Sequence, residues 1–243
     1  VAKAPDGKVI FIPNVVPGDV VDVQTVKKRK AYYEGRATQV HTFSEHRVEP
    51  VCEHFGSCGG CKWQNMAYSQ QLVYKQQEVY NHLKRIGKIE LPEFDPILGS
   101  KEQFFYRNKM EFSFSNARWL TPEEIQSGEE LGKENALGFH IPKMWDKILD
   151  IKKCWLQGDP SNDIRNEIRE FANQHQMEFF NPRENTGFLR TLMIRTASTG
   201  EIMVLIQFFK EDKAQRELLL NFILERFPML TSLQYVINEK LND

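Results

Sequence analysis

An α+β fold in two parts, a small β-barrel at the N-terminus and then an α+β domain with a mostly antiparallel sheet, is predicted by three features of this 243-residue sequence. Short β-prone segments crowd into the first fifty residues. Beyond residue 100 the segments run β, α, β, β, α, β. Four cysteines, three of them within ten positions, are spaced to tie a loop to that second part.

The barrel rests on Lys8–Ile12, a turn at Pro17-Gly18, the alternating Asp19–Val26, and Tyr32 to about Phe43. From Gln64 to about Arg85 there is no Gly or Pro, and Met66, Leu72, Val73, Val79, Leu83 and Ile86 recur at helical spacing, so a long helix stopped by Gly87 is expected, with only a stripe buried. A β-rich stretch covers Gln103–Asn116, a polar surface loop Thr121–Asn135, and a strand Ala136–Ile141. Ile164, Ile168, Phe171 and Ala172 make Pro160–His175 helical. Phe188–Ala197 and Glu201–Phe209 form a hairpin through Ser198-Thr199-Gly200, followed by a helix at Asp212–Arg226 and a strand at Leu233–Asn238.

The chain holds 32 Lys and Arg against 33 Asp and Glu, a net charge of −1 that argues against a histone-like nucleic-acid binder. That average hides an asymmetry, because residues 1–47 carry +3, residues 48–88 carry +2 and residues 89–243 carry −6. The densest basic point is Lys27-Lys28-Arg29-Lys30, close to Tyr32, Tyr33 and Arg36, where cations suit phosphates and rings suit bases. No apolar run approaches the ~20 residues that span a bilayer, and Val1–Asp6 carries no signal-peptide pattern. A cytoplasmic protein with no membrane partner is expected.

Cys52, Cys58 and Cys61, with Cys154 far downstream, carry the most specific chemistry. Four thiolates match the four irons of a cubane [4Fe–4S] cluster, and Gly56, Gly59 and Gly60 let a short loop bend around it. A structural four-cysteine zinc site uses the same ligands. Zinc ribbons show two short Cys-x2-Cys pairs, so a triplet with a lone fourth Cys favours iron–sulfur. Radical S-adenosylmethionine enzymes use Cys-x3-Cys-x2-Cys with one open iron, which this spacing does not match.

The run from Pro50 to Gln64, PVCEHFGSCGGCKWQ, with Tyr68, Gln71, Leu72 and Lys75 after it, resembles the iron–sulfur segment of the RNA (uracil-5-)-methyltransferase family, of the 23S ribosomal RNA type. Val15 to Val21 resembles that family's TRAM domain, with Asp19 where Glu is commoner; Tyr106–Lys109, Leu189–Arg195 and Val236–Lys240 resemble family strands. The resemblance implies a TRAM barrel at 1–47, truncated at its N-terminus, a central iron–sulfur and RNA-binding domain at 48–62 and 89–243, and a helix at 63–88 that packs on a C-terminal methyltransferase domain. It also implies a reaction in which a Cys thiolate adds to C6 of a flipped-out uridine, C5 takes the methyl of S-adenosylmethionine, and a carboxylate removes the C5 proton. Ribosomal RNA is the implied substrate, because the family's transfer-RNA enzyme is expected to lack both TRAM domain and cluster.

The sequence holds no Gly-x-Gly cofactor loop, and all four Cys are assigned to the cluster, which leaves none to attack C6. A fragment without the catalytic domain is therefore expected, inactive alone, with S-adenosylmethionine bound only by its full-length parent. Its 63–88 helix would expose an apolar stripe open to self-association. Arg107, Lys109, Arg190 and Arg195 are further candidate RNA contacts, unless they pair with acids such as Glu111. Trp63, Tyr68 and the remaining aromatics read as packing, and His54 as an exposed loop residue. The competing functions are a stand-alone RNA-binding module with a zinc site, and an electron-transfer protein.

Overall fold

The computed structural model describes residues 1–128 and 134–240, which divide into two units. The first comprises Val1–Gly56 and Cys61–Lys101, the second Ser57–Gly60 and Glu102–Asp243. Among the described residues no helix is long and apolar enough to cross a membrane.

In the first unit β1 (Ala2–Lys3), β2 (Val9–Phe11), β3 (Val20–Lys28) and β4 (Tyr32–Thr42) form one sheet in the order β1-β2-β4-β3. The expected closed barrel is not formed among the described residues. At one edge β1 offers only two residues, both used on β2, so β3 remains the other edge. Three register shifts between β3 and β4 raise the local twist. Gly35 permits the close approach there, since a Cβ at that position would stand 2.6 Å from Val23 Cγ1. The curled, open sheet leaves a cleft of about 790 Å³ lined by residues of β1 and β3, among them Ala2, Val21 and Val23.

The exit from β4 is held by one carboxylate. Asp19 accepts from the Val16 and Ser44 amides at 2.7 and 2.9 Å, and from Arg47 at 3.2 Å (Nε) and 2.5 Å (Nη2). Arg47 in turn bridges Met66, while Ala67 N–H donates to the His46 carbonyl, so the same clasp sets where the following helix begins.

That helix, α1, runs Tyr68–Asn81 and continues as a π-helical turn, His82–Ile86, before Gly87. It is shorter than the expected Gln64–Arg85 because Asn65 and Met66 are engaged with Val48 and Arg47. The expected buried stripe is also absent: no residue of α1 is buried, and Val73 and Val79 are exposed.

In the second unit β5 (Lys109–Ser115), β6 (Ala136–His140), β7 (Ile148–Asp150), β8 (Leu189–Thr196), β9 (Ile202–Phe208) and β10 (Ser232–Ile237) form a sheet in the order β10-β9-β8-β5-β6-β7. Every pairing is antiparallel except β10 on β9. Met110, Phe112, Phe114, Leu192, Ile194, Val204, Ile206 and Phe208 alternate onto a buried face. Helices α3 (Ser161–Gln174) and α4 (Lys213–Arg226) bury Ile164, Ile168, Ala172, Leu219 and Ile223, and meet through stacked Phe171 and Phe222. The expected loop Thr121–Asn135 instead contains a helical segment, α2 (Pro122–Ser127), because Thr121 and Glu124 form a reciprocal capping box. Residues 129–133 of that stretch lie outside the described residues.

Burial pushes the Asp19 carboxyl up, but the hydrogen bonds from Arg47, Ser44 and Val16 outweigh it and hold the group below its ordinary value. A depressed carboxylate contributes stability that is complete above the unfolded value of about 3.9 and is lost as pH falls through the folded one. Asp19→Asn is expected to lower the unfolding free energy at pH 7 by about 1–3 kcal/mol. In urea titrations the two proteins should converge below about pH 4; a gap that persists undiminished into acid refutes this role.

Candidate functional site

Cys52 and Cys61 belong to the first unit, Cys58 and Cys154 to the second. In the first, the Cys52 amide donates to Gln64 Oε1 at 3.2 Å, and Phe55 N–H closes a turn onto the Cys52 carbonyl at 3.0 Å. In the second, the Gly60 amide lies 3.4 Å from Cys58 Sγ. A Cβ on Gly60 would meet that sulfur at 3.4 Å and Leu156 Cδ1 at 3.9 Å, and one on Gly59 would meet Pro142 Cγ at 3.1 Å. The Cys58 loop thus lies against the segment two residues beyond Cys154. Among the described residues no group of three or more His, Cys, Asp or Glu side chains stands together as a metal site. The four cysteines together have the donor chemistry of a four-thiolate ligand.

Cys154 is buried, and its backbone is gripped on both sides by one amide: its N–H donates to Asn162 Oδ1 at 2.8 Å, and Asn162 Nδ2 donates to its carbonyl at 3.2 Å. Asn162 is held by Arg165, whose Nη1 reaches Oδ1 at 3.1 Å while Nε and Nη2 donate to the Ile151 and Lys152 carbonyls at 3.1 and 2.7 Å. Arg165 is fully buried and sits over the Phe112 ring at 5.1 Å. Burial pushes its guanidinium down to about 10, opposed first by the interaction with Cys154, so it stays cationic at neutral pH. Neither residue is singled out by sequence reasoning. The available signal was a cation at 165 on the apolar stripe of α3, beside Ile164 and three positions before Ile168.

The basic candidates separate into three groups. Lys27 and Lys28 end β3, and Arg29 and Lys30 form the turn to β4; all four are exposed, and Lys28 Nζ lies 5.9 Å from the Tyr33 ring centre. Arg107 is exposed just before β5, and Lys109 pairs across the sheet with Arg195, so those two cations share one face. Lys109 also contacts Glu111 at 2.7 Å in an exposed ion pair, an arrangement of little energetic weight. Arg190 is different: it is buried, donates to the Asn238 and Lys240 carbonyls at 3.0 and 2.7 Å, and lies over Phe180. Its guanidinium closes the chain after β10 onto β8 and is turned inward, unlike the exposed Arg107, Lys109 and Arg195.

The aromatics expected in the core also divide. Phe208, Phe188 and Phe112 are buried, whereas Phe105 and Tyr106 are 45% and 62% exposed and Trp145 is 65% exposed.

Asn162→Ala is expected to orphan the Cys154 amide and to lower stability by about 1–3 kcal/mol. It should also speed alkylation of the native Cys154 thiol at least tenfold, read by peptide mass spectrometry after timed iodoacetamide labelling. Wild-type labelling rates in the variant would show that the amide does not hold the loop.

No protein-family model matches the chain. It is 52% identical, over its whole length, to a protein from Bacteroides thetaiotaomicron named an uncharacterised RNA methyltransferase, and covers 54% of that protein. A Porphyromonas gingivalis protein of the same name is 50% identical over 98% of the chain and 52% of its own length. In fold, the chain is similar to a Pyrococcus abyssi tRNA (uracil-54, C5)-methyltransferase solved with S-adenosyl-L-homocysteine, with a TM-score of 0.62 and 25% identity over 96% of this chain and 48% of that one. This likeness removes the ground for preferring ribosomal RNA, since a transfer-RNA enzyme shares the fold across nearly all of the chain. The chain spans about half the length of the curated relatives it matches, and along that half it is similar to proteins named RNA methyltransferases.

Proposed function

We propose that this chain is the RNA-recognising, cysteine-bearing portion of an S-adenosylmethionine-dependent RNA (uracil-5-)-methyltransferase. The observation that carries this is the 52% identity over the whole chain to a protein named an RNA methyltransferase, of which it covers 54%. The methyl transfer itself belongs to the length of the parent protein that this chain does not span. C5 of uracil is a poor nucleophile until C6 carries an adduct, so the parent must supply a thiol beyond the four cysteines here.

Within that division this chain's work is to bind and orient RNA. Lys27, Lys28, Arg29 and Lys30 at one turn, and Arg107, Lys109 and Arg195 at one end of the second sheet, offer phosphate contacts that position a strand. Cys52, Cys58, Cys61 and Cys154 are the proposed ligands of a [4Fe–4S] cluster, which would supply a four-point cross-link between the loop and the β7–α3 segment. The placement of Gly60, which lies close to both Cys58 Sγ and Leu156 Cδ1, and the double grip of Asn162 on Cys154 support that ligand set. The exposed Val73, Val79 and Ile86 suit packing against the rest of the parent protein.

Anaerobic reconstitution with iron and sulfide should load about four irons per chain and give a brown protein. The loaded chain should bind both ribosomal and transfer RNA transcripts in a salt-dependent way, yet transfer no tritium from S-adenosyl-[methyl-³H]methionine to either. Stoichiometric zinc with no iron uptake would favour the stand-alone zinc module, and methyl transfer by this chain alone would overturn the division of labour.

A further inference from the structure

An exposed aromatic surface of the second unit lies beside Cys154. Phe105 N–H donates to the Trp155 carbonyl at 2.9 Å and Arg107 N–H to the Leu156 carbonyl at 2.8 Å, so residues 105–107 run alongside the cysteine segment. The Phe105 and Trp155 rings lie 5.5 Å apart and are inclined at only 32°. Phe104 closes on Trp155 edge-on at 5.9 Å, and Lys153 Nζ stands 4.1 Å over the indole. Trp155 is therefore enclosed, whereas Phe105 and Tyr106 present 45% and 62% of their surface to solvent.

Two things make this more than stray exposed apolar surface. Phe105 adopts φ +57°, in the left-handed region that a bulky side chain rarely enters. A strained aromatic held half-exposed by its neighbours' hydrogen bonds is a feature that folding alone does not favour, and such strain collects at functional positions. The exposed run also continues Phe105-Tyr106-Arg107-Asn108-Lys109, and Lys109 stands opposite Arg195 in the sheet. Rings at one end of a track of cations match the chemistry of a single-stranded nucleic acid, where bases stack and phosphates pair.

We propose that Phe105 and Tyr106, backed by Trp155 and flanked by Lys153 and Arg107, form a stacking platform for an unpaired base of the bound RNA. This rests on the reading of the chain as part of an RNA methyltransferase and adds to it a site that discriminates single-stranded from duplex RNA. A duplex keeps its bases stacked on one another and has none to offer the rings, so only its phosphates meet the cations. Lys153 leaves the Trp155 face for a phosphate when the strand binds, which exchanges a cation–π contact for an ion pair.

The test uses the whole 243-residue chain and two fluorescein-labelled probes, a short oligouridylate and a duplex RNA of equal length, followed by anisotropy across a salt series. Phe105→Leu and Tyr106→Leu keep apolar bulk but remove the ring, and thermal melts confirm that each variant folds. Each is expected to weaken single-strand binding about tenfold, while duplex binding stays within about twofold. Phe105→Tyr, which restores the ring, should recover single-strand binding. Lys153→Gln should reduce the slope of log affinity against log salt by about 0.7 for the single strand.

Single-strand binding unchanged in both leucine variants overturns the platform while leaving the RNA reading intact, and is the result expected if the patch serves a protein partner. Equal loss of single-strand and duplex binding overturns it too, since that marks a structural defect. A wild-type chain that binds neither probe overturns the RNA reading first and the platform with it.

Discussion

A charged group that remains ionised inside an apolar core must be satisfied almost completely, and in the second unit this requirement organises the cysteine-bearing segment. Arg165 lies between the Phe112 ring and the chain after β7, and its donors reach the Ile151 and Lys152 carbonyls and the Asn162 side chain. β7 ends at Asp150, and the guanidinium supplies hydrogen bonds to the two carbonyls that follow it. Asn162, oriented by Arg165, then grips Cys154 by both backbone groups. The position of one thiol thus depends on a cation on a different element, through an amide one turn earlier on the same helix, α3.

An arrangement of this kind is costly to break and weak as a source of net stability. Its value is specificity: a fork of fixed donors admits one path for residues 151–154, and the loop that follows inherits it. The Trp155 and Leu156 carbonyls that follow accept from the Phe105 and Arg107 amides, and Gly60 lies close to Leu156. The exposed rings and the buried sulfur are two consequences of the same pinned segment. Asp19 has a parallel part in the first unit, where a buried carboxylate gathers the Val16 turn, Ser44 and Arg47 and thereby fixes the entry to α1.

What could be read from the sequence follows from how local the responsible physics is. The hairpin at 188–209 and helix α3 were legible because apolar alternation and helical spacing are written into consecutive residues, and every end of β8, β9 and α3 lies one residue inside the expected bounds. The capping box at Thr121 and Glu124 was equally local, but the polar composition around it masked a helical segment. Barrel closure was not legible, since it depends on how much strand stands at the β1 edge and on register shifts between β3 and β4. Nor was the inward turn of Arg190, whose partners Asn238 and Lys240 lie some fifty positions away. The cysteine spacing suggested a metal-ligand set, but among the described residues no group of three or more His, Cys, Asp or Glu side chains stands together as a metal site, since spacing alone does not encode tertiary placement.

The charge distribution takes on a different meaning in the light of these positions. A net charge of −1 would make a poor counterion for RNA if binding relied on the mean field of the molecule. The cations that matter are few and placed at particular elements: a turn between β3 and β4, and the end of the β5–β8 pair where Lys109 and Arg195 stand side by side. Apart from the exposed pair of Lys109 with Glu111, acids also serve in ion pairs such as Arg118 with Glu134 and Lys210 with Glu178, where they neutralise cations remote from those sites. On the proposed reading, with bulk attraction suppressed, affinity depends on matching a few phosphates and an unstacked base at once. A duplex, offering phosphates alone, makes fewer of those contacts than a single strand, and discrimination by shape follows from the modest net charge instead of being opposed by it.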